Sequence, residues 1–184
     1  MGTFPQTLSD LYGIANKFQA EHSEDFVEHG MVICRDGTVI NTKGTKSAVR
    51  MDDAADSEKV FGGAYFHNHP LDLCLSVPDF LIMLKYGFVS MTATTNSHIY
   101  MAVLTDNVTP GGFITAMRKK WSDIDKWTLK TMSAKSHIKK RLTKNPNLTL
   151  DERWEIQVQA DAKWVRFLKR ECPKHGIRFL VFDV

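Results

Sequence analysis

The run Phe66-His67-Asn68-His69-Pro70, followed five residues later by Ser76-Val77-Pro78-Asp79, decides how this chain is read. It closes a β-rich segment, Val60 to His69, and opens an apolar helical one, Asp79 to Tyr86, with Gly87 in the C′ position where glycine stops a helix. On a strand, residues i and i+2 share a face and lie about 6.6–7 Å apart. His67 and His69 therefore direct their imidazoles to one point while Asn68 faces away. Asp79 lies ten residues beyond His69, in the opening turn of the predicted helix, and a loop of that length folds back to the same point. Two histidines and one carboxylate, with a fourth position open to water, describe a catalytic rather than a structural zinc site. Ser76-x-x-Asp79 is also the pattern of a capping box. The two readings are compatible, because an N-cap holds a ligand still.

Zinc-assisted hydrolysis of an amide also needs a base that takes the proton of the water and passes it to the leaving nitrogen. Glu28 is the candidate, in Glu28-His-Gly-Met-Val-Ile at the start of the first predicted strand; Glu21, Glu24 and Asp25 compete with it.

Outward from this stretch the pattern is mixed α/β. Leu8, Leu11, Ile14, Ala15 and Phe18 form the apolar stripe of a helix over residues 7–21. Met31 to Cys34 and Thr38 to Ile40 flank an Asp36-Gly37 turn as a hairpin. The polar segment from Asn41 to Glu58 reads as a connection, with a strand suggested around Ala48 to Met51. Phe88 to Thr94 and Ile99 to Leu104 form a second hairpin, which accounts for the uncharged stretch from Tyr86 to Thr105 without a membrane span. A long helix follows over about 113–142, ended by Asn145-Pro146. The capping box Thr149-Leu-Asp-Glu152 starts another helix, whose stripe is Trp154, Val158, Trp164, Phe167 and Leu168. Ile177 to Phe182, nearly continuous in apolar residues, is read as a buried final strand.

The composition, 43% hydrophobic and 24% charged over 184 residues, excludes disordered and fibrous classes. Cys34, Cys74 and Cys172 are an odd number without a CxxC pair, which argues against a disulfide framework and suits a reducing, cytoplasmic setting. Charge is uneven. Residues 117–146 carry ten Lys and Arg against two Asp, while residues 1–116 are net acidic. The basic run, with Lys139, Lys140 and Arg141 near its end, is either a solvated helical face or a surface for phosphates or an acidic partner.

The upstream Glu, the His-x-His-Pro and the Ser-x-x-Asp together resemble the JAMM motif of the JAB/MPN metalloprotease family, over about residues 7–106. The resemblance implies a cytidine-deaminase-like α+β fold, a mixed sheet flanked by helices. It implies zinc held by His67, His69 and Asp79, water activated by Glu28, and an oxyanion stabilised by Ser76. It also implies a protein or peptide substrate, plausibly cut at a peptide or isopeptide bond beside a ubiquitin-like tail. Cys74 stands where several deubiquitinating members carry a cysteine, and Asn68 is similar to the His-Asn-His-Pro of the bacterial RadC branch. The interval from His69 to Asp79 is one residue shorter than the family's usual spacing. The expected organisation is a core over residues 1–109 and a basic helical extension over 110–184, with a final strand, packed on the core as one unit. The alternatives are an inactive binding module of the same fold and a nucleic-acid-associated protein.

Overall fold

The computed structural model describes residues 3–45, 57–105, 108–143 and 146–184. Helix α1 (Leu8–His22) starts at Thr7, whose hydroxyl accepts the Asp10 amide hydrogen while the Asp10 carboxylate accepts the Thr7 amide hydrogen. Strands β1 (His29–Ile33) and β2 (Val39–Lys43) form the first hairpin, and a single-turn helix α2 (Ser57–Val60) precedes β3 (Ala64–Asn68). Helix α3 (Val77–Lys85) leads to β4 (Ser90–Thr94) and β5 (His98–Leu104). Helices α4 (Pro110–Thr143) and α5 (Leu150–Glu171), a 3-10 turn (Cys172–His175) and β6 (Ile177–Asp183) complete the described chain.

The fold is mixed α/β. Among the described residues the strands form one six-stranded sheet in the order β2-β1-β3-β4-β5-β6. Only β3 and β4 are parallel, and a parallel pair needs a crossover, which α3 supplies. Because side chains alternate across a strand, β3 serves two cores. Ala64 and Phe66 join Leu11, Ala15 and Phe18 of α1 on one face, with Ile99 and Met101 of β5. Tyr65 faces the other way, into a larger cluster with Phe80 and Met83 of α3, Phe113 and Met117 of α4, and Trp164 and Leu168 of α5. His67 has the parity of Tyr65 and therefore lies on the α3 side.

Helix α4 has 34 residues, about 51 Å at 1.5 Å per residue. Its buried side chains, Phe113, Met117 and Ile124, all lie in its first half. The second half runs beside α5, to which it is tied by Lys135 to Glu155 at 3.3 Å and Lys139 to Glu152 at 2.7 Å. This arrangement corrects the expected α5 stripe. Trp164, Phe167 and Leu168 are buried, but Trp154 and Val158 are exposed, and Ile156 and Ala160 take the inner positions. β6 also differs from expectation. Among the described residues it is an edge strand paired only with β5, burying Ile177 and Phe179 while Leu180 to Phe182 are half-buried. Val60 belongs to α2 rather than to β3, and the strand suggested around Ala48 to Met51 lies outside the described residues.

Candidate metal centre

Three donor groups converge where β3 ends and α3 begins. His67 is the fourth residue of β3. His69 continues its path, its amide donating to the Thr94 carbonyl of β4 at 2.8 Å. His67 Nε2 and His69 Nε2 are 2.9 Å apart, with ring planes at 69°. Asp79, in the first turn of α3, places Oδ1 at 3.3 Å from His67 Nε2 and Oδ2 at 3.8 Å from His69 Nε2. A tetrahedral zinc ion with bonds of about 2.0–2.2 Å separates its ligand atoms by about 3.3–3.5 Å, and the three observed separations bracket that value. His67 is 2% exposed and Asp79 9%.

Hydrogen bonds fix what each group offers. His69 Nδ1 donates to the Leu73 carbonyl at 2.7 Å, so its Nε2 carries the lone pair. Asp79 Oδ2 accepts the Ser76 amide hydrogen at 2.6 Å and the Ser76 hydroxyl hydrogen at 2.7 Å, leaving Oδ1 turned towards His67. The Tyr65 ring stacks on His67 at 5.1 Å with planes 12° apart. His67 Nδ1 is buried without a hydrogen-bond partner.

The electrostatics suit metal ligation. Burial by itself would raise the Asp79 carboxyl, but the charge and hydrogen bond of His67, then His69 and Ser76, hold it well below the usual carboxylate range. Burial, reinforced by neighbouring His67, pulls the His69 imidazole below its ordinary value. A carboxylate and a neutral imidazole are the forms a metal requires. Burial first, then the charges of Asp79 and Glu28, push the Tyr65 phenol well above its ordinary range.

Glu28 joins this face through strand register. β1 pairs antiparallel with β3 so that Gly30 lies opposite His67, which sets Glu28 across from His69 and on the same side. Its amide donates to the Thr45 carbonyl and its carbonyl accepts the Gly44 amide hydrogen, both at 2.8 Å, extending the hairpin ladder beyond β1. Its charge is felt at His69 and Tyr65. Of the competing carboxylates, Asp25 is engaged by His22 and His29, and Glu21 lies on α1 beside Lys17.

Two side chains of α5 shape the loop between the candidate ligands; the sequence shows Trp164 as part of an apolar stripe and gives no sign of Asp161. Asp161 of α5 accepts the Cys74 amide hydrogen at 3.0 Å, and Trp164, one turn on, donates its indole hydrogen to the Leu75 carbonyl at 2.6 Å. Their i, i+3 spacing puts both on one helix face. The Cys74 side chain is itself buried, and burial pushes its thiol well above its ordinary value. Asn68 does face away, as strand parity requires, and its amide clasps the segment joining α1 to β1.

The basic stretch is partly neutralised. Lys139 is paired with Glu152, whereas Lys140 and Arg141 are exposed. Among the described residues, no helix is long and apolar enough to cross a membrane. Comparison with models of protein families, with curated proteins and with solved structures finds no match to this chain.

Proposed function

We propose that the chain is a zinc-dependent hydrolase of the JAB/MPN type that cleaves a peptide or isopeptide bond, with a ubiquitin-like tail as the class of substrate to test first. The observation that carries the reading is the convergence of His67 Nε2, His69 Nε2 and an Asp79 carboxylate oxygen, all within 4.8 Å of one another, in a buried corner bordered by Glu28. Zinc bound there supplies Lewis-acid polarisation of the scissile carbonyl and a more acidic water. Glu28, across from His69, takes the proton of the attacking water and returns it to the leaving nitrogen. Ser76 acts first through Asp79, since its amide and hydroxyl both hold that carboxylate. Tyr65 covers one face of His67 and helps to keep bulk water from the ligand ring.

The test combines elemental mass spectrometry with cleavage of a ubiquitin-like fusion. His69→Ala loses one equivalent of zinc relative to wild type. Glu28→Gln keeps the zinc and loses cleavage. Unchanged zinc content in His69→Ala overturns the metal centre, and undiminished cleavage by Glu28→Gln overturns the assigned base. Zinc retained by wild type with no cleavage of any fusion favours the binding-module reading.

A further inference from the structure

A second cluster of ligating side chains lies on the opposite side of the sheet from His67. His22 ends α1, His29 begins β1, and Asp25 stands in the segment between them. Asp25 Oδ2 is 2.8 Å from His22 Nδ1 and 3.2 Å from His29 Nε2. The three donor atoms all lie within 4.8 Å of one another. We propose that His22, Asp25 and His29 form a second metal site, for a divalent first-row transition ion of zinc's class, independent of the centre at His67, His69 and Asp79.

The backbone that presents these ligands is fixed by one buried side chain. Asn68, 3% exposed, accepts the His29 amide hydrogen on Oδ1 at 2.5 Å. Its Nδ2 donates to the Val27 carbonyl at 3.1 Å and to the His22 carbonyl at 3.4 Å. The middle residue of His67-Asn68-His69 therefore holds both histidine-bearing ends of the 22–29 segment, while its neighbours build the first centre on the other face. Two imidazoles and one carboxylate are donors that suit zinc and its neighbours better than calcium or magnesium. Three protein ligands leave coordination positions open, and Asp25 lines a cleft of about 510 Å³ with Ser23, Glu24 and Phe26. Glu24, next to Asp25 in sequence and also lining this cleft, adds negative charge to it.

Without an ion, the same atoms make a sound arrangement in which Asp25 Oδ2 accepts from His22 Nδ1 and lies 3.2 Å from His29 Nε2. The two rings stack at 4.3 Å with planes 14° apart, which fits that ion-free state. A metal lies in the plane of each ring that ligates it, so binding splays the rings. Both are partly exposed, 24% for the His22 side chain and 20% for His29, and their rotation leaves the backbone clasped by Asn68 in place.

The experiment is equilibrium dialysis against zinc, repeated with cobalt(II), whose visible spectrum reports imidazole and carboxylate ligation. The His69→Ala chain, in which the first centre is disabled, is expected to bind one equivalent, and adding Asp25→Asn or His29→Ala removes it. If wild type binds two equivalents, Asp25→Asn alone lowers the count to one. A His69→Ala chain that folds and binds none overturns the proposal, as does a stoichiometry that Asp25→Asn and His29→Ala both leave unchanged. Should His69→Ala fail to fold, the comparison of wild type with Asp25→Asn, which keeps an acceptor oxygen at a part-exposed position, decides the question. Failure of the first centre leaves this result intact, so the two readings stand or fall separately.

Discussion

His69 donates its Nδ1 hydrogen to the Leu73 carbonyl at 2.7 Å, and that bond makes the nitrogen aimed at His67 and Asp79 a lone-pair donor. The ligand is thus oriented from within its own loop. Replacing His69 by Ala, or Asp79 by Asn, is expected to weaken zinc binding at this centre by more than the roughly 10–100-fold that follows loss of an outer-shell partner. Competition with a chromophoric chelator measures the change. Affinity within tenfold of wild type in both variants would refute the assignment.

The loop is also held from outside. Trp164→Phe keeps most of the ring packing but leaves the Leu75 carbonyl without its indole donor. The expected cost is about 1–3 kcal/mol of stability, measured by denaturant unfolding. Zinc affinity should fall together with stability, because the same carbonyl lies between the ligands. Trp164→Phe with unchanged affinity would reduce the residue to core packing.

The contact between α4 and α5 has a pH signature. The Glu152 carboxyl is lowered to about 2, first by its hydrogen bond from Lys139 and then by the Thr149 amide. A depressed folded-state value stabilises above the unfolded value, here 4.5, and that contribution is lost as pH falls towards about 2. The stability advantage of wild type over Glu152→Gln should therefore shrink across this window. Thermal melts of both chains from pH 6 down to pH 2.5 show it; a constant difference would mean that the capping bonds alone matter.

Gly87 tests the helix stop that precedes β4. Its φ is +61°, and an added Cβ would meet a ring carbon of Phe61 at 2.5 Å. Gly87→Ala should cost about 1–2 kcal/mol from the left-handed backbone, plus a steric part. Phe61→Ala in the same chain should relieve only the steric part. Full rescue in the double variant would show that the backbone carries no strain.

The convergence of His67, His69 and Asp79 was legible because it obeys local rules: the two histidines share strand parity, and Asp79 sits at N3 after an N-cap serine. Glu28 was legible as a strand-start carboxylate, but its place opposite His69 depends on the register of β1 against β3, which no local pattern reports. The loop contacts of Asp161 and Trp164 escaped, although Trp164 was legible as a core residue, because they reach residues 87 and 89 positions away. The apolar run Ile177 to Phe182 suggested burial, yet which strand lies at an edge is decided by topology. Trp154 fell on a plausible stripe, but the buried face of this part of α5 is the one carrying Ile156 and Ala160, which turns Trp154 outward.

The 89-residue separation between Leu75 and Trp164 also sets an order in time. A chain emerging from the ribosome at about 5–20 residues per second displays His67, His69 and Asp79 on the order of 10 s before α5 is available to close over their loop. During that interval the ligands belong to an unfinished sheet, still lacking the helix that anchors their loop and the strand that extends β5. The corner that brings His67, His69 and Asp79 together is therefore one of the last parts of the molecule to mature, and on the proposed reading a metal ion meeting the nascent chain encounters flexible side chains before it encounters a site.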